Sequence, residues 1–148
     1  MAKGEIHMKW WKRIIPFSIF ISLALMLISP LFGIMFLIGY MAGEPILSPD
    51  LDHQSTTSAE YRAMRNFGCL GVIFVMYFVP YAYLLPHRSF LSHFPIVSDL
   101  VRLAYILLIP AVLWLYFQMP INNTMLLGLA GVVAGLSLST TVHFVLDR

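Results

Sequence analysis

Two groups of residues in this sequence carry side chains that can do chemistry. The first combines carboxylates with an imidazole in one acidic segment, and its members are Glu44, Asp50, Asp52, His53 and Glu60. Such side chains bind divalent cations, but no two of them have the i, i+4 spacing that places two ligands on one helical face. The sequence therefore predicts no metal site and no cofactor. We expect a recognition loop for another protein, or a plain polar linker.

The second group surrounds a histidine near the C-terminus. Ser139 and Thr140 precede His143 by four and three residues, so the three side chains share one face of a helix. Arg102 joins them in a candidate polar cluster if its helix packs alongside. Alternatively, the hydroxyls bond to their own helix and the histidine reaches the membrane interface. No recognised catalytic spacing is present, and we predict that the protein is not an enzyme.

The composition indicates whether these groups face water or lipid. The chain has 148 residues, of which 59% are hydrophobic and only 11% are charged, whereas a soluble domain carries about 25% charged residues. This deficit indicates a protein in contact with lipid and argues against a secreted module or a soluble enzyme. The net charge of +2 is too small to favour a nucleic acid as partner.

Four apolar runs are candidates for membrane spans. They cover residues 14–42, 67–85, 100–119 and 125–145, and about 20 residues suffice to cross a bilayer. The first run is longer than necessary, and Pro30 is the natural position for a kink in it. The sequence thus predicts an all-α integral membrane protein, a four-transmembrane-helix bundle that forms one membrane domain over residues 1–148.

The distribution of Lys and Arg predicts the topology of this bundle. Basic residues flank the first span at its N-terminal side, the segment 86–99 and the C-terminus, so both termini and segment 86–99 are expected in the cytoplasm and segment 43–66 outside it. A bacterial cytoplasmic (inner) membrane fits the short chain. Within segment 43–66, Thr57 and Glu60 fit a capping box, which predicts a helix start near Ser58. Within segment 86–99, the histidines have no evident partner beyond Asp99.

Small residues on the fourth span predict a helix–helix interface. They are Gly128, Gly131, Ala134 and Gly135, and such residues let two backbones approach closely. The sequence favours a non-catalytic multi-pass membrane protein that acts through protein–protein interaction, as an accessory, assembly, regulatory or immunity factor. Its expected partners are membrane lipids and another membrane protein or a second copy. A small oligomeric transporter or channel and an interfacial membrane enzyme are the alternatives.

Overall fold

A computed structural model describes residues 4–53, 56–86 and 89–147 of the chain, and within these ranges the regular structure is entirely helical. The α-helices are α1 (Gly4–Met26), α2 (Pro30–Gly43), α3 (Ser58–Phe67), α4 (Cys69–Leu84), α5 (Phe90–His93), α6 (Val97–Ile106), α7 (Leu108–Tyr116) and α8 (Asn123–Leu146). A short 3-10 helix, Pro49–Asp52, lies between α2 and α3.

The prediction of a four-transmembrane-helix, multi-pass bundle is wrong. Among the described residues, only α8 is long and apolar enough to cross a membrane as one helix, and α6 with α7 adds a second only if their 53° bend lies inside one span. Helices α2 and α4 have 14 and 16 residues, fewer than the roughly 20 that a span requires. Composition indicated enough apolar residues for four spans, but the chain divides them among shorter helices.

The apolar run 14–42 is divided between two antiparallel helices. Ser29 caps the start of α2 with its side chain, and Pro30 occupies the first helical position, where a missing N–H costs nothing. Farther from this turn, the rings of Trp11 and Tyr40 stack, and each side chain donates a hydrogen bond to the backbone carbonyl of the other residue, at 3.1 and 2.7 Å. Pro30 therefore marks a reversal of the chain and not a kink in one span.

Two other apolar segments are interrupted for local reasons. Gly68, with φ of +56°, ends α3 and begins α4, so α4 turns back onto α3. In the run 100–119, α6 and α7 meet at Leu107. Pro110 has no N–H to donate to the carbonyl of Ile106 four residues earlier, which weakens a continuous helix at this point.

The small residues of α8 pack against α2 of the same chain. A Cβ atom added at Gly131 would lie 2.8 Å from the carbonyl oxygen of Phe32, and one at Gly135 would collide with the carbonyl oxygen of Phe36. Gly128 also faces α2, and Ala134 is half-buried. The predicted helix–helix interface is thus occupied within the chain. These contacts advance together along both helices, so α2 and α8 run parallel and their C-terminal ends lie side by side.

Segments that the sequence places on opposite faces of a membrane lie in contact. The Nε2 atom of His93, in segment 86–99, is 3.9 Å from Oδ1 of Asp50, in segment 43–66. The Nε2 atom of His143, at the end of α8, is 3.4 Å from the same oxygen. The predicted separation of these segments is therefore wrong. Parallel α2 and α8, with α1 antiparallel to α2, bring polar residues of distant segments to one end of the molecule.

Candidate metal centre

Three helix ends meet at this polar end of the molecule. They are the N-terminal end of α1 and the C-terminal ends of α2 and α8, which carry His7, Glu44 and His143 respectively. The Nδ1 atom of His143 lies 2.8 Å from Nδ1 of His7 and 3.0 Å from Oε2 of Glu44, and all three side chains are buried. Asp147 follows His143 by one helical turn and therefore projects from the same side of the chain.

The 3-10 helix between α2 and α3 supplies two more carboxylates. Its start is fixed by Ser48, whose side chain accepts a hydrogen bond from the N–H of Asp50, and by Pro49 at the first position. Asp52 is fully buried, whereas the Asp50 side chain is 35% exposed. The helix thus directs one carboxylate to the buried side of the polar cluster and the other toward an opening to solvent.

The Nε2 atoms of three histidines face two carboxylates. His143 Nε2 lies 3.4 Å from Asp50 and 3.5 Å from Asp147, His93 Nε2 lies 3.9 Å from Asp50, and His7 Nε2 lies 3.3 Å from Asp147. Two ligand atoms of a tetrahedral ion with bonds of about 2.0–2.1 Å lie about 3.3–3.5 Å apart. One ligand atom from each of Asp50, His93, His143 and Asp147 lies within 4.8 Å of the others. The spacing therefore fits donors around one cation.

In two of these imidazoles, the other ring nitrogen, Nδ1, also contacts a carboxylate. Glu44 lies 3.0 Å from Nδ1 of His143, and Asp52 lies 3.4 Å from Nδ1 of His93. A carboxylate in this position holds the ring proton on Nδ1 and leaves the Nε2 lone pair for a metal ion. Within the described residues, Nε2 of His143 makes no hydrogen bond. Both rings are therefore oriented as metal-binding histidines are.

His7 completes the arrangement from the side of α1. The Nδ1 atom of His7 lies 2.8 Å from Nδ1 of His143, and its Nε2 atom lies 3.3 Å from Asp147. His7, Glu44 and His143 also form a second possible ligand group, but it shares His143 with the first. We assign His7 and Glu44 to the support of the first group because both contact Nδ1 of His143, whereas Nε2 of the same ring faces Asp50 and Asp147.

The histidines and carboxylates of the cluster shift one another's pKa values. Burial disfavours the charged form of His143, but its contacts with the carboxylates of Asp50 and Glu44 outweigh this effect and raise the pKa of His143 to about 9. Burial raises the pKa of Asp50, yet its contact with His143 prevails and lowers that pKa. Burial and the neighbouring His143 lower the pKa of His7. In the metal-free protein, a proton on His143 thus holds the carboxylates together.

The predicted polar cluster of Arg102, Ser139, Thr140 and His143 is divided between two places. Arg102 forms an ion pair with Asp99 and donates a hydrogen bond of 2.8 Å to Thr140, which itself donates to Asp99 at 2.7 Å. This buried network joins α6 to α8. Ser139 packs against Gly43 of α2. His143 faces the carboxylates of the other cluster, so Arg102 and Thr140 have a structural role here.

The predicted recognition loop is divided as well. Glu44, Asp50 and Asp52 lie in the histidine and carboxylate cluster, whereas His53 is exposed. Glu60 makes the predicted capping box, since its Oε2 accepts the N–H of Thr57 at 2.7 Å and α3 begins at Ser58. That part of the prediction is confirmed, and it assigns Glu60 to the start of a helix.

Three residues of the cluster were not singled out from the sequence as site residues: His7, His93 and Asp147. One signal was present, because His143 and Asp147 have the i, i+4 spacing of two ligands on one helix. His7 and His93 gave no comparable signal, since they reach the cluster only through tertiary packing. His87, the other histidine of segment 86–99, lies outside the described residues.

Comparison with known proteins gives one match, to a family that is described as metal-binding. No curated protein and no solved structure matches the sequence significantly. One family model matches residues 2–129, which is 128 of the 148 residues and includes His7, Glu44, Asp50, Asp52 and His93. Because the match covers most of the chain, this protein belongs to the family described as uncharacterized metal-binding protein (DUF2227).

Proposed function

We propose that the protein binds one divalent transition metal ion between Asp50, His93, His143 and Asp147. The observation that carries this proposal is the convergence of imidazole Nε2 atoms and carboxylate oxygens at 3.4–3.9 Å, with further carboxylates behind both rings. Two nitrogens and two carboxylates without a thiolate suit Zn²⁺, Mn²⁺ or Fe²⁺ better than Cu⁺. The family description agrees with this proposal.

The charge balance of the cluster supports a cation at this position. Glu44, Asp50, Asp52 and Asp147 bring four carboxylates to one mostly buried region. Protonation of His143 compensates only one of these charges, and unbalanced charges removed from water are costly. A divalent ion placed between Asp50 and Asp147 compensates two and has suitable ligands on every side.

A zinc titration of the metal-free protein and of its Asp52→Asn variant tests this proposal. We expect one ion per chain in the wild type, and a 10–100-fold loss of affinity in the variant, as is typical when a carboxylate behind a metal-binding histidine is removed. A chromophoric chelator in competition gives both numbers. Circular dichroism checks that the isosteric variant is folded. A wild type without a stoichiometric site, or a variant with unchanged affinity, would contradict the assignment.

The predicted interaction, transport and interfacial-enzyme functions stay predictions, as does the absence of catalysis. The interaction prediction depended on the small residues of α8, and Gly131 and Gly135 are already in contact with α2. A partner helix therefore needs another surface of the molecule. The metal centre is compatible with either a binding or a catalytic role, because its donor set also occurs in metalloenzymes.

We also propose that the protein is attached to a lipid bilayer. No residue of α7 is buried, and Leu115 is 73% exposed. At the turn between α1 and α2, Leu27 and Ile28 are 90% and 85% exposed. This turn lies at the opposite end of α1 from His7. Extensive apolar surface of this kind is covered by lipid or by another protein.

Extraction of cell membranes tests this attachment. We expect the tagged protein to stay in the membrane pellet after a sodium carbonate wash at high pH and to enter solution only with detergent, because apolar contacts with lipid do not depend on charge. A peripheral protein held by ionic contacts serves as the control and should be released by the wash. Recovery of the full-length protein in the soluble fraction without detergent would refute the attachment.

A further inference from the structure

A basic groove lies beside the metal centre, between the N-terminal parts of α1 and α3. It has a volume of about 420 Å³, which is within the range of small-molecule sites. Its lining residues are Glu5, Met8, Lys9, Lys12, Ser58 and Arg62. Three cations thus face one carboxylate, which gives the groove a net positive charge in a chain where only 11% of residues are charged.

Helical geometry separates the groove from the metal-binding side of α1. Glu5, Lys9 and Lys12 have spacings of four and three residues and share one exposed face of the helix. His7 lies on another face of α1, where it is buried against His143. One side of α1 therefore faces the candidate metal centre. Another side faces the groove, which carries a surplus of positive charge.

Arg62 connects the groove to the metal centre. Its Nη2 donates a hydrogen bond of 3.0 Å to the backbone carbonyl of Glu44, and the Glu44 carboxylate contacts His143 at 3.0 Å. The Nε atom of Arg62 is buried but makes no hydrogen bond within the described residues. Part of the guanidinium group is thus held in place while one donor is left for another acceptor.

We propose that this groove binds a small molecule through a phosphate group, next to the metal ion. A phosphate dianion matches the surplus of two positive charges, and a guanidinium offers the paired donors that phosphate oxygens accept. Lys9 and Lys12 supply point charges from the opposite wall. The position beside a metal ion rests on the proposed function, whereas the three cations of the groove do not depend on it.

Calorimetric titration with inorganic phosphate and phenyl phosphate tests the groove, with both metal-free and Zn²⁺-loaded protein. We expect both compounds to bind both forms, and we expect Arg62→Gln to weaken binding about tenfold or more, because it removes charge-assisted hydrogen bonds. Arg65→Gln is the matched control, since Arg65 is an exposed arginine of the same helix that does not line the groove. Benzoate tests whether phosphate itself is recognised.

The outcomes separate this proposal from the metal assignment. Phosphate binding that depends on Arg62 in the metal-free protein supports the groove even if zinc fails to bind. A phosphate that comes from a lipid headgroup gives Arg62-dependent sedimentation with vesicles of phosphatidylcholine and phosphatidate, but not with phosphatidylcholine alone, and supports the same chemistry. No binding in any arm, equal binding of benzoate, or equal effects of the Arg62 and Arg65 variants would overturn it.

Discussion

Replacing His143 with glutamine is expected to lower the affinity for Zn²⁺ by more than about 100-fold. Removal of a residue that merely orients a ligand costs 10–100-fold, and His143 is a proposed ligand in contact with four other groups of the cluster. Its Nε2 faces Asp50 and Asp147, and its Nδ1 faces His7 and Glu44. The d–d absorption of Co²⁺, used as a substitute for Zn²⁺, reports directly on ligands and affinity.

His53→Gln is the matched control for this variant. It makes the same chemical change in the same acidic segment as Asp50 and Asp52, but His53 is exposed and belongs to neither ligand group. We expect its Co²⁺ spectrum and affinity to equal those of the wild type. If both variants bind Co²⁺ as tightly as the wild type, the ion is held elsewhere. If only His53→Gln loses affinity for Co²⁺, the ligand assignment is wrong.

The failure of the four-span prediction has a local physical explanation. Hydropathy counts apolar residues along a run, but it does not show where a helix ends inside that run. Ser29 with Pro30, Gly68 with its positive φ, and Pro110 each end or bend a helix within or beside an apolar segment. A proline in an apolar run predicts a kink or a reversal equally well, and tertiary contacts such as those of Trp11 with Tyr40 and of Ser22 with Gly33 show that the chain reverses here.

The site could be predicted only in part. The capping box at Thr57 and the acidic character of the segment around Asp50 follow from local sequence. The i, i+4 spacing of His143 and Asp147 is a further local signal for two ligands on one helix. His7 and His93 could not be found this way, because 136 residues separate His7 from its partner His143, and no local pattern specifies a contact of that sequence separation.

The glycines of α8 show that a sequence can indicate a close contact between helices without identifying the partner helix. The spacing of Gly131 and Gly135 correctly indicates a close approach of two helices, but it does not state which helix approaches. In the structure this helix is α2, and the parallel packing that results places Glu44 next to His143. The small residues therefore contribute to the metal centre indirectly, since they align the ends of the two helices that carry its residues.

Raising the pH from 6.5 to 9 is expected to destabilise the metal-free protein while it strengthens zinc binding. The pKa of His143 is raised from 6.5 to about 9 in the folded protein. A raised pKa contributes stability that is fully present below pH 6.5 and is lost as the pH rises through 9, and its full size is about 3 kcal/mol. The lowered pKa of His7 changes the stability only below pH 6.5, which is outside the range from pH 6.5 to 9.

Zinc binding responds in the opposite direction because the ion must displace the proton of His143. Between pH 6.5 and 9, competition with one proton is expected to strengthen binding about tenfold per pH unit. Denaturant unfolding of the metal-free protein, followed by tryptophan fluorescence, measures the first trend, and the chelator competition measures the second. His143→Gln should remove the decline in stability over this range. A wild type whose stability is constant from pH 6.5 to 9 would show that His143 is not held protonated by Asp50 and Glu44.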